Sequence, residues 1–149
     1  MDINFYNVYL NAALFGRPQK AVYYPNRHGE LADTSGIMVM QYEGFVSTNA
    51  GAKDTWGDNS VQIQGEKGYL YIEGGPNGLE RVRLVTKEGE TSYNQQDNPD
   101  RWFYEVQNMT KMLQAEDYDT IQKNLKVTVD VIELLEAMRK EAGILFTGE

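Results

Sequence analysis

The chain has 149 residues, the length of about one domain, with 14 Lys and Arg against 22 Asp and Glu, a formal net charge of −8. Hydrophobic residues are 41% and aromatic residues 11%, enough for a packed core rather than a disordered chain, and the negative charge disfavours nucleic acid as a partner. The absence of cysteine removes disulfides, thiolate catalysis and Cys-ligated zinc.

The first segment predicts a helix: Phe5, Val8, Ala12 and Phe15 recur at helical spacing and would bury one side. Asn4 is the expected N-cap, and Gly16 followed by Pro18 stops the helix. Strands follow. Residues 21–24 are short and aromatic; residues 37–42 are apolar at nearly every position, which predicts cover on both faces. Glu43-Gly44 is a two-residue hairpin turn into a strand at 45–50, on which Phe45, Ser47 and Asn49 share one side.

A polar loop is expected over 51–59. Val61 and Ile63 then alternate with Gln62 and Gln64. Turns at 65–68 and 74–78 separate this strand from one at 69–72 and one holding Val82 and Leu84, and a last strand is expected near 91–93. Gly74-Gly75-Pro76-Asn77-Gly78 is glycine-rich but sits between strands, so it reads as a hairpin turn; a phosphate cradle needs a following helix.

The last third predicts two helices. One carries Trp102, Val106, Met109 and Met112 or Leu113 after Pro99, with Asp100 able to cap it. The other runs from about 120 to 142, with a buried stripe of Ile121, Leu125, Val129, Ile132, Leu135 and Met138, and Gly143 as its C-terminal cap. The sum is an α+β fold over 1–149: a mainly antiparallel open sheet of about six strands with helices on one face. Tyr69, Tyr71 and Val82 make the other face apolar enough to seek a partner, which predicts a homo-oligomer. No apolar run approaches the roughly 20 residues that span a bilayer, and the start lacks the basic region of a signal peptide, so a cytoplasmic location is expected.

Met1-Asp2-Ile3-Asn4-Phe5-Tyr6-Asn7, then Leu14-Phe15-Gly16 and Pro18, resemble the opening of the C-terminal domain of the Gfo/Idh/MocA oxidoreductases, which include glucose–fructose oxidoreductase and inositol dehydrogenase. Gly51-Ala52-Lys53-Asp54, Ile63-Gln64-Gly65-Glu66-Lys67-Gly68 and a last helix ending Ala142-Gly143-Ile144 are similar too, so the resemblance covers essentially the whole chain. It implies a fold like the C-terminal domain of glyceraldehyde-3-phosphate dehydrogenase. It also implies a full-length enzyme that uses NAD or NADP on a sugar, polyol or related hydroxy compound. The cofactor would sit in a preceding Rossmann domain. This chain holds no Gly-x-Gly-x-x-Gly turn between a strand and a helix and no Glu-Lys-Pro motif, so it is expected to bind no cofactor and to be inactive alone.

The resemblance assigns catalytic roles to Asp2 and Tyr6. The two lie four residues apart, on one helical face that continues through Tyr9 and Ala13. A tyrosine hydroxyl can pass a proton to or from a substrate alcohol, although acting as a base near neutrality calls for a nearby positive charge. The plainer alternatives are a carboxylate favoured at a helix start for Asp2 and a packed surface aromatic for Tyr6. Ser47, Asn49, Lys53, Asp54 and Trp56 are the candidate substrate-binding residues, combining hydrogen-bonding groups with an aromatic platform; the alternative is a solvated loop. The sole histidine, His28, has no clustered carboxylates, so no metal site is expected. A stand-alone dimerisation or sugar-binding module without catalytic activity is the competing function.

Overall fold

The computed structural model describes residues 1–29, 32–93, 96–100, 102–146 and 148. The elements run α1 (Asn4–Phe15), β1 (Lys20–His28), β2 (Ala32–Tyr42), β3 (Phe45–Ala52), β4 (Ser60–Gly65), β5 (Gly68–Glu73), a single turn α2 (Gly75–Gly78), β6 (Arg81–Thr86), β7 (Gly89–Tyr93), α3 (Phe103–Gln114) and α4 (Tyr118–Glu141). The α+β class and the antiparallel pairing agree with the sequence reading. Among the described residues, seven strands form two sheets, β1-β2-β3 and β4-β5-β6-β7, where one sheet of about six was expected. The polar stretch 53–59 lies outside any strand and interrupts the ladder between β3 and β4. The chain divides into two compact units, Met1–Trp56 with Ile121–Glu149, and Gly57–Thr120.

In the first unit, tight turns set the register. Tyr42 pairs with Phe45 across the Glu43-Gly44 hairpin, and Gly44 takes the left-handed φ of 86° that such a turn requires. Period-two alternation sends Tyr23, Met38, Met40 and Tyr42 to one face, where they meet Val8 of α1 and Val131 and Met138 of α4. Val8, Met38, Met40, Val131 and Met138 are all but sealed from solvent. Each such side chain contributes roughly 1.5–3 kcal/mol through burial. An ion pair of Arg17 with Glu133 at 3.1 Å links the segment after α1 to α4.

Several side-chain expectations are corrected here. Asn4 is not a cap: it is the first residue of α1, 1% exposed, and the cap position Ile3 makes no side-chain capping bond. The most buried residues of α1 are Asn4, Val8 and Asn11, with Phe5 and Ala12 packed against the core as expected, while Phe15 is exposed against Tyr42 and Phe45 at the hairpin. The opposite face of the sheet is open, with Tyr24, Ile37 and Val46 exposed, so strand β2 is covered on one side only. The packed stripe of α4 is Val127, Val131, Leu134, Leu135 and Met138, of which Leu135 and Met138 were expected; Leu125, Val129 and Ile132 lie on an exposed stripe beside it. Both stripes have helical spacing, and only the sheet decides which is used. Gly143 behaves as expected: at φ 70° it ends α4, with the Ile144 N–H donating back to the Arg139 carbonyl.

In the second unit, Ile72 is the buried apolar residue of a four-stranded meander. The Asp100 side chain accepts from the Trp102 N–H at 3.0 Å ahead of α3. The apolar stripe of α3 at Val106, Met109 and Leu113 is exposed, and no described residue of this helix is buried.

Candidate functional site

Helix α1 is seated on β2 and β3 by asparagines. The Asn4 Nδ2 donates to the Gly36 carbonyl at 3.3 Å. The Asn7 Nδ2 donates to Asn4 Oδ1 at 2.7 Å and to the Ala50 carbonyl at 3.1 Å. One turn on, Asn11 Nδ2 donates to Asn49 Oδ1 at 2.8 Å. Gly51 makes room for this, since a Cβ there would meet the Asn4 side chain at 2.7 Å; its cross-strand partner Gly36 makes room for the Tyr23 ring instead. Buried amides held this way fix a register as well as contributing stability.

That register places the start of α1 over the end of β3. Lys53 Nζ donates to Asp2 Oδ2 at 2.6 Å. The contact holds the Asp2 carboxyl below the usual carboxylate range, through the hydrogen bond first and the charge of Lys53 second. The two residues border a small cleft of about 180 Å³ with Asn4, Asp33, Thr34 and Gly51. Tyr6 stands one turn into α1, 39% exposed and edge-on to Phe5 at 5.7 Å. Asp2 precedes the first helical residue instead of lying within the helix. Both side chains reach solvent, and neither is sealed in the core.

The predicted substrate-binding residues separate into three groups. Lys53 joins Asp2. Ser47 and Asn49 are drawn into the helix–sheet contact: Asn49 is 7% exposed and its Nδ2 donates to Ser47 Oγ at 3.0 Å. Asp54 and Trp56 stand in the exposed loop after β3, Trp56 fully in solvent. His28 ends β1 opposite Ala32, not in a turn. Among the described residues no group of three His, Cys, Asp or Glu is placed to hold a metal ion.

Two features escaped the sequence reading. One is the asparagine row 4, 7, 11, whose helical spacing was visible but was masked by the apolar residues interleaved with it. The other is Asp33 at the rim of the cleft. The Tyr23 hydroxyl donates to Asp33 Oδ2 at 2.5 Å. Burial opposes the charge on Asp33, and the hydrogen bond from Tyr23 favours it. Burial first, and the adjacent Asp33 second, push the Tyr23 phenol far above its ordinary value. Residues ten apart gave no local signal for this pair.

Gly74 to Gly78 connects β5 to β6, as expected, but does so through the single helical turn α2, and the space beside Gly75 is taken by Asn59, whose Oδ1 would lie 2.2 Å from a Cβ there.

No family model matches the chain. Over its full length it is 25% identical to scyllo-inositol 2-dehydrogenase (NADP(+)) IolU of Bacillus subtilis and 26% identical to the uncharacterized oxidoreductase YgjR of Escherichia coli. It spans 45% of the length of each of these curated relatives. Among solved structures, 95% of the chain superposes on 46% of a Klebsiella pneumoniae protein named as an oxidoreductase, with a TM-score of 0.60 and 14% identity. The same share superposes on 48% of yvaA from Bacillus subtilis, with a TM-score of 0.57 and 12% identity. The fold is therefore that of the C-terminal part of such oxidoreductases, and the resemblance read from the sequence holds.

Proposed function

We propose that this chain, a relative of the C-terminal domain of the Gfo/Idh/MocA oxidoreductases, is the substrate-binding and oligomerising part of an NAD(P)-dependent enzyme acting on a sugar, polyol or related hydroxy compound. The observation that carries this reading is the Asp2–Lys53 contact just ahead of α1, with Tyr6 accessible to solvent in the first turns of that helix. Tyr6 moves a proton at the substrate hydroxyl, and Asp2, kept ionised by Lys53, orients the substrate or the phenol. The name of the Bacillus subtilis relative supports both the polyol and the nicotinamide. The nicotinamide is supplied by a further domain of the kind the resemblance implies, so the chain alone is inactive, and the enzyme works in the cytoplasm. The open face of β1-β2-β3, with Tyr24, Ile37 and Val46, supports association with a second copy.

The test is a chimera in which residues 1–149 replace the corresponding part of the Bacillus subtilis relative, assayed for reduction of NADP with scyllo-inositol and a polyol panel. Tyr6→Phe is expected to lower turnover by about 100-fold or more, the scale of lost general acid–base catalysis. Unchanged turnover in a folded variant removes the proposed role. The competing module reading predicts polyol binding with no turnover in any such chimera.

A further inference from the structure

The second unit contains an open cleft of about 700 Å³, walled by Asn59, the 74–80 turn and the segment 96–99. Small-molecule sites occupy roughly 300–1,000 Å³. Its described polar side chains are amides and carboxylates: Asn59, Asn77, Glu80, Gln96, Asp97 and Asn98.

Both walls are fixed from within. Gly74 and Gly75 take left-handed φ values of 78° and 67°, and Asn59 Nδ2 donates to the Gly74 carbonyl at 2.9 Å. The Glu80 N–H then closes the turn on the Glu73 carbonyl at 2.9 Å. Across the cleft, the Asn98 N–H donates to the Tyr104 hydroxyl at 2.8 Å, and Asn98 Oδ1 accepts from the Asp100 N–H at 2.9 Å. The donor capacity of the Asn98 side chain lies in its NH2 group. Walls held in place before a ligand arrives reduce the ordering cost of binding.

We propose that this cleft binds a neutral polyhydroxylated ligand, a sugar or polyol. Each hydroxyl both donates and accepts, which suits a lining that mixes amide donors with carboxylate acceptors. An anion would face Glu80 and Asp97. An amine would satisfy those carboxylates but leave the amide donors of Asn77 and Asn98 unmatched, at the cost of their desolvation. The site needs no nicotinamide and no turnover, so it stands apart from the roles of Asp2 and Tyr6.

The experiment is an NMR titration of the isotope-labelled 149-residue chain, following side-chain amide signals. The probes are myo-inositol, glucose, inorganic phosphate and putrescine, each added separately. Saturable shifts of the Asn77 and Asn98 amides are expected with a polyol or sugar, at Kd values of about 1 mM to tens of mM. Asn77→Ala and the shape-conserving Glu80→Gln are each expected to weaken binding by about threefold to tenfold. Lys126→Ala, on the exposed side of α4, is expected to leave it unchanged. The proposal is overturned if neither polyol nor sugar gives a saturable shift, if phosphate or putrescine gives the stronger response, or if both cleft variants bind as the parent does. Binding that persists while Tyr6→Phe leaves chimera turnover intact would sink the catalytic reading and leave this one standing.

Discussion

The Asn4 side chain occupies the space that a side chain at position 51 would need: a Cβ on Gly51 would lie 2.7 Å from the Asn4 Cγ and Oδ1. This contact sets the height of α1 above β3 and so brings Asp2 within reach of Lys53. Gly51→Ala is expected to destabilise the chain by about 1–3 kcal/mol, the usual cost of overpacking. Combining it with Asn4→Ala should recover part of that loss. Urea denaturation of the two single variants and the double variant gives the coupling; strictly additive losses would mean the contact does not constrain the helix.

The Asp2–Lys53 pair predicts a titration. The folded-state value of Asp2 is depressed, so its contribution is present above the ordinary carboxylate range and is lost as pH falls through the depressed value. Both partners are well exposed, and little stability should depend on them. Lys53→Met is expected to return the Asp2 carboxyl toward its ordinary value with almost no change in the urea midpoint. NMR of the side-chain carboxyl reads this directly, and an unmoved titration contradicts the pairing.

Tyr23 titrates in the opposite sense. Its folded-state value is raised by burial and by Asp33, so its contribution is complete below the ordinary phenol value and is lost as pH rises through the raised one. Burial raises Tyr42 as well. In an alkaline titration followed by phenolate absorbance, these two of the ten tyrosines should ionise last, together with unfolding. Tyr23→Phe should remove one late tyrosine and cost about 1.5–3 kcal/mol, the range for a hydrogen bond to a charged group.

The open sheet face predicts association. Tyr24, Ile37 and Val46 project from neighbouring strands on the side away from α1 and α4. Light scattering of the chain is expected to show a dimer or larger species, and Ile37→Lys with Val46→Lys should shift it to monomer without lowering the urea midpoint. A parent chain already monomeric at micromolar concentration would count against this face as an interface.

Much of the architecture was legible along the chain because it rests on local rules. The Glu43-Gly44 hairpin, the turns at 65–68 and 74–78, the end of α1 at Gly16 and the cap at Gly143 each follow from residues within a few positions of one another. Asp2 and Tyr6 were singled out through the resemblance, and both side chains reach solvent.

What the chain could not announce is which of two chemically similar surfaces packs. Helix α4 carries two apolar stripes, and only contact with Met38 and Met40 selects the one through Val131 and Met138. Helix α1 packs Phe5, Val8 and Ala12 on the core as its spacing indicates, yet Asn4 and Asn11 are buried beside them, because backbone carbonyls and Asn49 across the contact satisfy their amides. The same pairing removed Asn49 from the candidate substrate groups and joined Lys53 to Asp2. Local periodicity and turn chemistry are written into consecutive residues. The partner of a buried polar group lies tens of residues away, and only the folded sheet brings the two within hydrogen-bonding distance.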